Sequence, residues 1–115
     1  MRIVLVAVAA LAIAGCSSND AQTTPVSVTS AQNSCDVAPT SAVAGTVVFA
    51  VQNTGSEPTD FYVYGQADRI VGELEELGPG EARDLVVEVP SGQYTTACVP
   101  GTGGEGIRAP FTVNP

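Results

Sequence analysis

The fold is decided by one stretch near the C-terminus, Gly92–Gly101, which reads GQYTTACVPG. It contains a turn signal, a short run of strand-forming residues, and a cysteine just before a second turn at Pro100-Gly101. This order predicts a strand that carries the sulfur of Cys98 to one end of a small β domain. Whether that sulfur binds a metal, closes a disulfide or only packs in the core decides most of the functional interpretation.

The rest of the chain shows strand and turn signals at regular spacing, with abundant valine and few aromatic residues. Glu73–Leu77 is the only segment with helical spacing, and it is too short to be stable alone. The pattern predicts an all-β fold, a Greek-key antiparallel β-sandwich. The predicted strands lie at Val26–Thr29, Gly45–Asn53, Thr59–Tyr64, Arg69–Leu74, Ala82–Val89, Tyr94–Val99 and near Phe111–Val113.

Charge and composition exclude several classes of function. The formal net charge is −8, with twelve acidic residues against four arginines, so the surface repels phosphate backbones and we expect no nucleic-acid partner. The sequence has no histidine, which excludes Ser-His-Asp and Cys-His arrangements, and it has no Cys-x-x-Cys motif. We therefore expect a protein that is not an enzyme.

The N-terminus predicts an extracytoplasmic address. Residues 1–15 combine a positive start with an apolar run of secretory length, and they lead into Cys16 through Ile-Ala-Gly. This ending resembles a bacterial lipobox, in which the cysteine is lipidated by acyl chains such as palmitate. We expect a signal peptide at 1–15, a polar lipid-anchored tether at 16–25 and a folded domain at 26–115. The expected location is the cell membrane, on its extracytoplasmic face.

The final third of the chain resembles the C-terminal end of cupredoxins, in which a Gly-x-Tyr-x-x-x-Cys pattern is followed by Pro-His and a loop carrying Met. The resemblance implies a cupredoxin-like sandwich. A blue-copper site needs two histidines, a cysteine and an axial methionine. Here Gly101 stands where the histidine after the cysteine would be, and Met1 is the only methionine. The composition therefore excludes a blue-copper electron carrier of this kind.

Four short motifs lie along the domain in a fixed order: Cys35-Asp36, Gly45-Thr46, Pro79-Gly80 and Cys98. In this order they resemble, more closely than the cupredoxin pattern does, the cupredoxin-like domain of EfeO-type proteins, which are extracytoplasmic components of bacterial iron uptake. The resemblance runs from about Val26 to Val113. It implies a metal site formed by Cys35, Asp60, Glu73, Glu75 and Cys98, and an ion such as iron or copper as the cofactor or cargo.

The two cysteines of the domain leave two hypotheses open. In an oxidising compartment, Cys35 and Cys98 would most simply form a disulfide that closes a loop of more than sixty residues. Alternatively, they ligate a metal together with the nearby carboxylates. The first hypothesis predicts a metal-free β-sandwich that interacts with an envelope protein, and the second predicts a tethered lipoprotein that binds or hands over a metal ion.

Overall fold

The computed structural model describes residues 22–101 and 104–115. The lipidation site Cys16, the signal peptide and most of the predicted tether lie outside the described residues. In the part that is described, no helix is long and apolar enough to cross a membrane. The strands are β1 Thr23–Ser30, β2 Cys35–Ala38, β3 Ser41–Val43, β4 Gly45–Asn53, β5 Thr59–Tyr64, β6 Ile70–Leu77, β7 Ala82–Val89, β8 Gly92–Pro100 and β9 Ile107–Asn114.

The strands form two sheets that pack face to face, so the predicted all-β sandwich is confirmed. One sheet has four strands in the order β2-β1-β4-β7, and the other has five in the order β3-β9-β8-β5-β6. The expectation of purely antiparallel pairing needs one correction, because β1 pairs with β4 in parallel and β3 pairs with β9 in parallel. Both sheets are therefore mixed. Strand signals in a sequence show where strands lie but not which distant strand each one meets.

Alternating side chains explain why these segments fold as strands. In β4 the side chains of Val47, Phe49 and Val51 are buried, while the residues between them face outward. Phe49 lies at the centre of the core, with its ring centroid 5.4 Å from those of both Phe61 and Phe111. Burying one such ring contributes about 1.5–3 kcal/mol to folding. The two sheets are thus held together by aromatic side chains from three strands.

The largest difference from the expected elements lies in Glu73–Leu77. The segment with helical spacing is part of strand β6, which runs three residues beyond the predicted end at Leu74. Leu74 and Leu77 are both buried although they are three residues apart, because the register between β5 and β6 shifts there. Glu76 has φ of +55° at this β-bulge. The bulge adds one residue, so two leucines at helical spacing reach the same face of a strand.

The N-terminal strand begins before its predicted start. β1 starts at Thr23 rather than at Val26, and its first residues pair in parallel with Thr46, Val47 and Val48 of β4. Residues 23–25, which the composition assigns to the polar tether, are therefore in the sheet. Their polar character fits an exposed strand end, because only alternate residues of β1 need to be apolar.

Candidate functional site

The two cysteines of the described domain are joined to each other. Cys35 begins β2 in the four-stranded sheet and Cys98 lies near the end of β8 in the five-stranded sheet, so the bridge connects the two layers. The sulfur atoms are 2.03 Å apart, the Cα atoms are 5.7 Å apart, and the side chain of Cys98 is fully buried. The expected disulfide is present, and both thiols are used in it.

A buried polar network lies at the same end of the sandwich as the disulfide. Ser30 ends β1, where it pairs with Cys35 of β2 on one side and with Asn53 of β4 on the other. The hydroxyl of Ser30 is 2.8 Å from the hydroxyl of Thr59, and the side chains of Ser30, Asn53 and Thr59 are almost completely buried. Hydrogen bonding of this kind removes the cost of burying the hydroxyl groups.

Asn53 is the centre of this network. Its Nδ2 group donates hydrogen bonds to the carbonyl oxygens of Glu57, at 2.8 Å, and Leu77, at 2.9 Å. Its Oδ1 atom accepts one from the backbone N–H of Gly55 at 2.9 Å. One side chain thereby connects the end of β4 to the end of β6 and to the loop that leads into β5. The sequence predicts a turn at Asn53, but the pattern gives no sign that its side chain is buried.

The carboxylates of the predicted metal set lie on the other face of the five-stranded sheet. Side chains alternate along a strand, so Phe61 and its register partner Cys98 point into the core, whereas Asp60 and Tyr62 point outward. The structure places Asp60 on the side of the sheet opposite to the disulfide. The cysteines and the carboxylates of the predicted set are therefore separated by the sheet itself.

The three carboxylates do share one surface. Asp60, Glu73 and Glu75 line a shallow open depression of about 570 Å³ on the outer face of β5 and β6. Within residues 22–101 and 104–115, no group of three or more His, Cys, Asp or Glu side chains is arranged to hold a metal ion. Asp36, which follows the first cysteine, is exposed on β2 in the other sheet.

Asp60 has a structural role at the bulge. Its Oδ1 atom accepts a hydrogen bond of 2.8 Å from the backbone N–H of Glu76, the residue with positive φ. The bulge would otherwise leave this N–H without a partner in the strand ladder. The carboxylate of Asp60 therefore stabilises the register that brings Glu75 beside Tyr62.

Tyr62 lies between two of these carboxylates. Its hydroxyl donates to Glu75 Oε1 at 3.2 Å and approaches Asp60 Oδ2 at 3.4 Å. Partial burial, together with the negative charges of Asp60 and Glu75 and their hydrogen bonds, raises the pKa of Tyr62 from 10.0 to about 12. The phenol is thus held in its neutral form as a hydrogen-bond donor.

We predict that Tyr62 is the source of a late step in the alkaline titration of the protein. Because the folded state holds this proton more tightly than the unfolded chain, the stabilisation is complete below pH 10 and is lost as the pH rises through about 12. Tyrosinate absorbance should show the step, since the sequence has three tyrosines and no tryptophan. Subtracting the spectrum of Tyr62→Phe from that of the wild type isolates the titration step of Tyr62. Circular dichroism at each pH confirms that both proteins remain folded. A difference step at or below pH 10 would contradict the described contacts.

A second tyrosine extends this surface. The rings of Tyr62 and Tyr64 stack with their centroids 5.8 Å apart. The guanidinium of Arg108 lies 4.5 Å from the centroid of the Tyr64 ring, and its Nη1 atom is 3.4 Å from Asp68 Oδ1. Strand alternation predicts that both tyrosines face away from the core, but the pattern does not indicate that they meet carboxylates. We call this surface the tyrosine face; it consists of Asp60, Tyr62, Tyr64, Ile70, Glu73 and Glu75.

Comparison with known protein families agrees with the sandwich. A family model described as "cupredoxin-like domain" matches residues 3–105. The chain belongs to the cupredoxin-like domain family. No curated protein sequence matches the chain. The family match does not distinguish the EfeO-type branch from other cupredoxin-like domains.

Solved structures of cupredoxins share this fold at low sequence identity. Reduced auracyanin from Roseiflexus castenholzii is 19% identical, with 83% of this chain and 99% of that chain covered and a TM-score of 0.62. Auracyanin A from Chloroflexus aurantiacus, described as a "blue" copper protein, is also 19% identical, with coverage of 81% and 100% and a TM-score of 0.58. An azurin from Methylomonas sp. strain J is 13% identical, with coverage of 80% and 98% and a TM-score of 0.61.

The residues of this cupredoxin-like domain do not fit a blue-copper centre. The sequence has no histidine, and the sulfur of Cys98 is bonded to Cys35. Gly101 has φ of +77°, in the left-handed region that favours glycine over residues with a Cβ atom. The position where the cupredoxin resemblance would place a histidine is therefore shaped for glycine. The sulfur of Cys98, which the cupredoxin resemblance places at the copper-ligand position, is part of a disulfide.

Proposed function

We propose that this protein is a lipid-anchored, cupredoxin-like interaction module at the extracytoplasmic face of the cell membrane, stabilised by the Cys35–Cys98 disulfide. The observation that carries the proposal is the use of both domain cysteines in one bridge between the sheets. The tyrosine face, on the other side of the five-stranded sheet, is then the surface offered to a partner. The role is one of binding rather than catalysis, because the sequence has no histidine to act as base or nucleophile activator.

The envelope address is supported by two independent features. Disulfides persist in oxidising compartments and are rare in the cytosol. The lipobox-like sequence that ends at Cys16 would provide the lipid anchor. It is independent of the disulfide, which joins Cys35 and Cys98. The EfeO-type resemblance, carried by the short motifs around Cys35 and Cys98, favours the same compartment.

Carriage of iron or copper, the other role that the resemblance implies, makes a different demand on the structure. It would require the thiolates of Cys35 and Cys98 to be free, since thiolates rather than a disulfide bind these metals. Asp60, Glu73 and Glu75 would also have to act from the opposite face of the sheet. The interaction role needs neither change.

Site-specific photo-crosslinking in the native envelope tests the proposed function. A crosslinking amino acid at Ile70, on the tyrosine face, is expected to give a discrete adduct in the membrane fraction. The same amino acid at Gln52, exposed on the four-stranded sheet, should give none. The variant Cys16→Ser should lose both the membrane association and the adduct. Absence of an adduct from Ile70 would contradict the interaction role, and membrane retention of Cys16→Ser would contradict the lipid anchor.

A further inference from the structure

We infer that the tyrosine face binds a basic segment of a partner protein, with an arginine side chain of that segment stacked on Tyr62 and its guanidinium facing Glu73 and Glu75. This inference rests on the proposed interaction role and names the class of partner. Three features of the molecule support it: an arginine that the chain already holds on the same surface, the charge around Tyr62, and the shape of the depression.

The chain itself shows how this surface holds a guanidinium group. Arg108 lies over the ring of Tyr64 at 4.5 Å, and its Nη1 atom is 3.4 Å from Asp68. Its Nε atom donates to the carbonyl oxygen of Glu105 at 3.4 Å. An aromatic face, a carboxylate and a carbonyl oxygen therefore suffice to position an arginine here, by cation–π attraction and charge-assisted hydrogen bonding.

Tyr62 offers an aromatic ring and nearby carboxylates to an arginine from outside. Its ring is stacked beside that of Tyr64, Glu75 lies at its hydroxyl, and Glu73 is its register partner on β6. Among the described residues the ion pairs are Arg83–Glu81 and Arg108–Asp68, and neither involves a carboxylate of the tyrosine face. Three acidic side chains on this face thus lack an intramolecular ion pair within the described structure.

The form of the surface favours arginine over lysine. The depression is open, and its rim includes Ile70, which is 49% exposed and pairs with Tyr64 across β5 and β6. A planar guanidinium can stack on an aromatic ring while it donates to two carboxylates, whereas an ammonium group acts as a point charge. The net charge of −8 also attracts a basic partner over longer distances.

A peptide-binding measurement tests the inference. The probe is a fluorescein-labelled Gly-Arg-Gly-Arg-Gly peptide, titrated by anisotropy with the full-length protein in a non-ionic detergent at low salt. The double variant Glu73→Gln/Glu75→Gln should weaken binding about tenfold, because it removes two charge pairs. Tyr62→Ser should weaken it about threefold by removing the ring. A peptide with citrulline in place of arginine keeps the shape without the charge and should bind at least tenfold more weakly.

A matched control separates a local site from general charge attraction. Asp84→Asn/Glu88→Gln makes the same change in net charge at exposed positions on β7, in the other sheet, and should leave the affinity within about twofold of wild type. An equal loss in both double variants would overturn the inference, as would absence of binding by the wild type. If either occurs while crosslinking from Ile70 still succeeds, the interaction role stands and only the basic partner is wrong.

Discussion

The double variant Cys35→Ala/Cys98→Ala is expected to lose about 4 kcal/mol of unfolding free energy. The two cysteines are 63 residues apart, and in the chain-entropy model a cross-link of this length restricts the unfolded chain by about that amount. The bridge also connects the two sheets at the end of the sandwich where the polar network lies. A loss of this size is a large share of the stability of a small domain. Urea denaturation of the full-length protein, followed by circular dichroism, measures it.

Reduction of the wild type provides the control for this variant. Wild type in excess dithiothreitol should show nearly the same loss as the double variant, because both lack the cross-link. Any small difference between them reports the side-chain volume that only the double variant loses. A difference of less than about 1 kcal/mol between oxidised wild type and the double variant would mean that the cross-link does not restrict the unfolded chain as described.

The variant Asn53→Ala is expected to lower the unfolding free energy by about 3 kcal/mol. The substitution removes both hydrogen bonds that Nδ2 donates and the one that Oδ1 accepts. It leaves the carbonyl oxygen of Leu77 buried without this partner, and a buried polar group that loses its hydrogen bond costs about 1–3 kcal/mol. The backbone of Asn53 also bonds to Glu81 and Gly80, so the loop between β6 and β7 should loosen as well.

An exposed asparagine gives the matched control. Asn33→Ala, in the loop between β1 and β2, should change the unfolding free energy by less than about 0.5 kcal/mol. Hydrogen exchange would locate the effect of Asn53→Ala, with faster exchange expected at Gly55 and at the β6–β7 loop. Equal stabilities for the two variants would contradict the central place of Asn53 in the network.

Much of the fold follows from local signals in the sequence. The alternation in Gly45–Asn53 and Ala82–Val89 predicts both strands with their observed bounds, because one face of each must be apolar to pack against the other sheet. The helical spacing of Leu74 and Leu77 is ambiguous for a physical reason. A bulge places both leucines inside a strand, and it depends on the bond from Glu76 to Asp60, which is sixteen residues away.

The candidate site is less predictable, since its parts meet through strand pairing. The residue types of Cys35 and Cys98 fit either a bridge or a pair of metal ligands, and only their positions in facing sheets bring the sulfur atoms together. Likewise, Glu75 reaches Tyr62 because the shifted register of β5 and β6 places it there. Neither the shifted register of β5 and β6 nor the parallel pairing of β1 with β4 can be recognised from the local sequence.

We infer that Cys98, at the position that the cupredoxin resemblance gives to the copper ligand, instead forms a structural bridge with Cys35. The most direct test is intact mass and metal analysis of the full-length protein purified from its native envelope, with thiols alkylated at the moment of lysis. We predict that Cys35 and Cys98 are unmodified by the alkylating reagent, that the mass is two hydrogens below that of the reduced chain, and that neither copper nor iron is present at stoichiometric level. Alkylation of both cysteines together with one bound metal ion per chain would contradict the account.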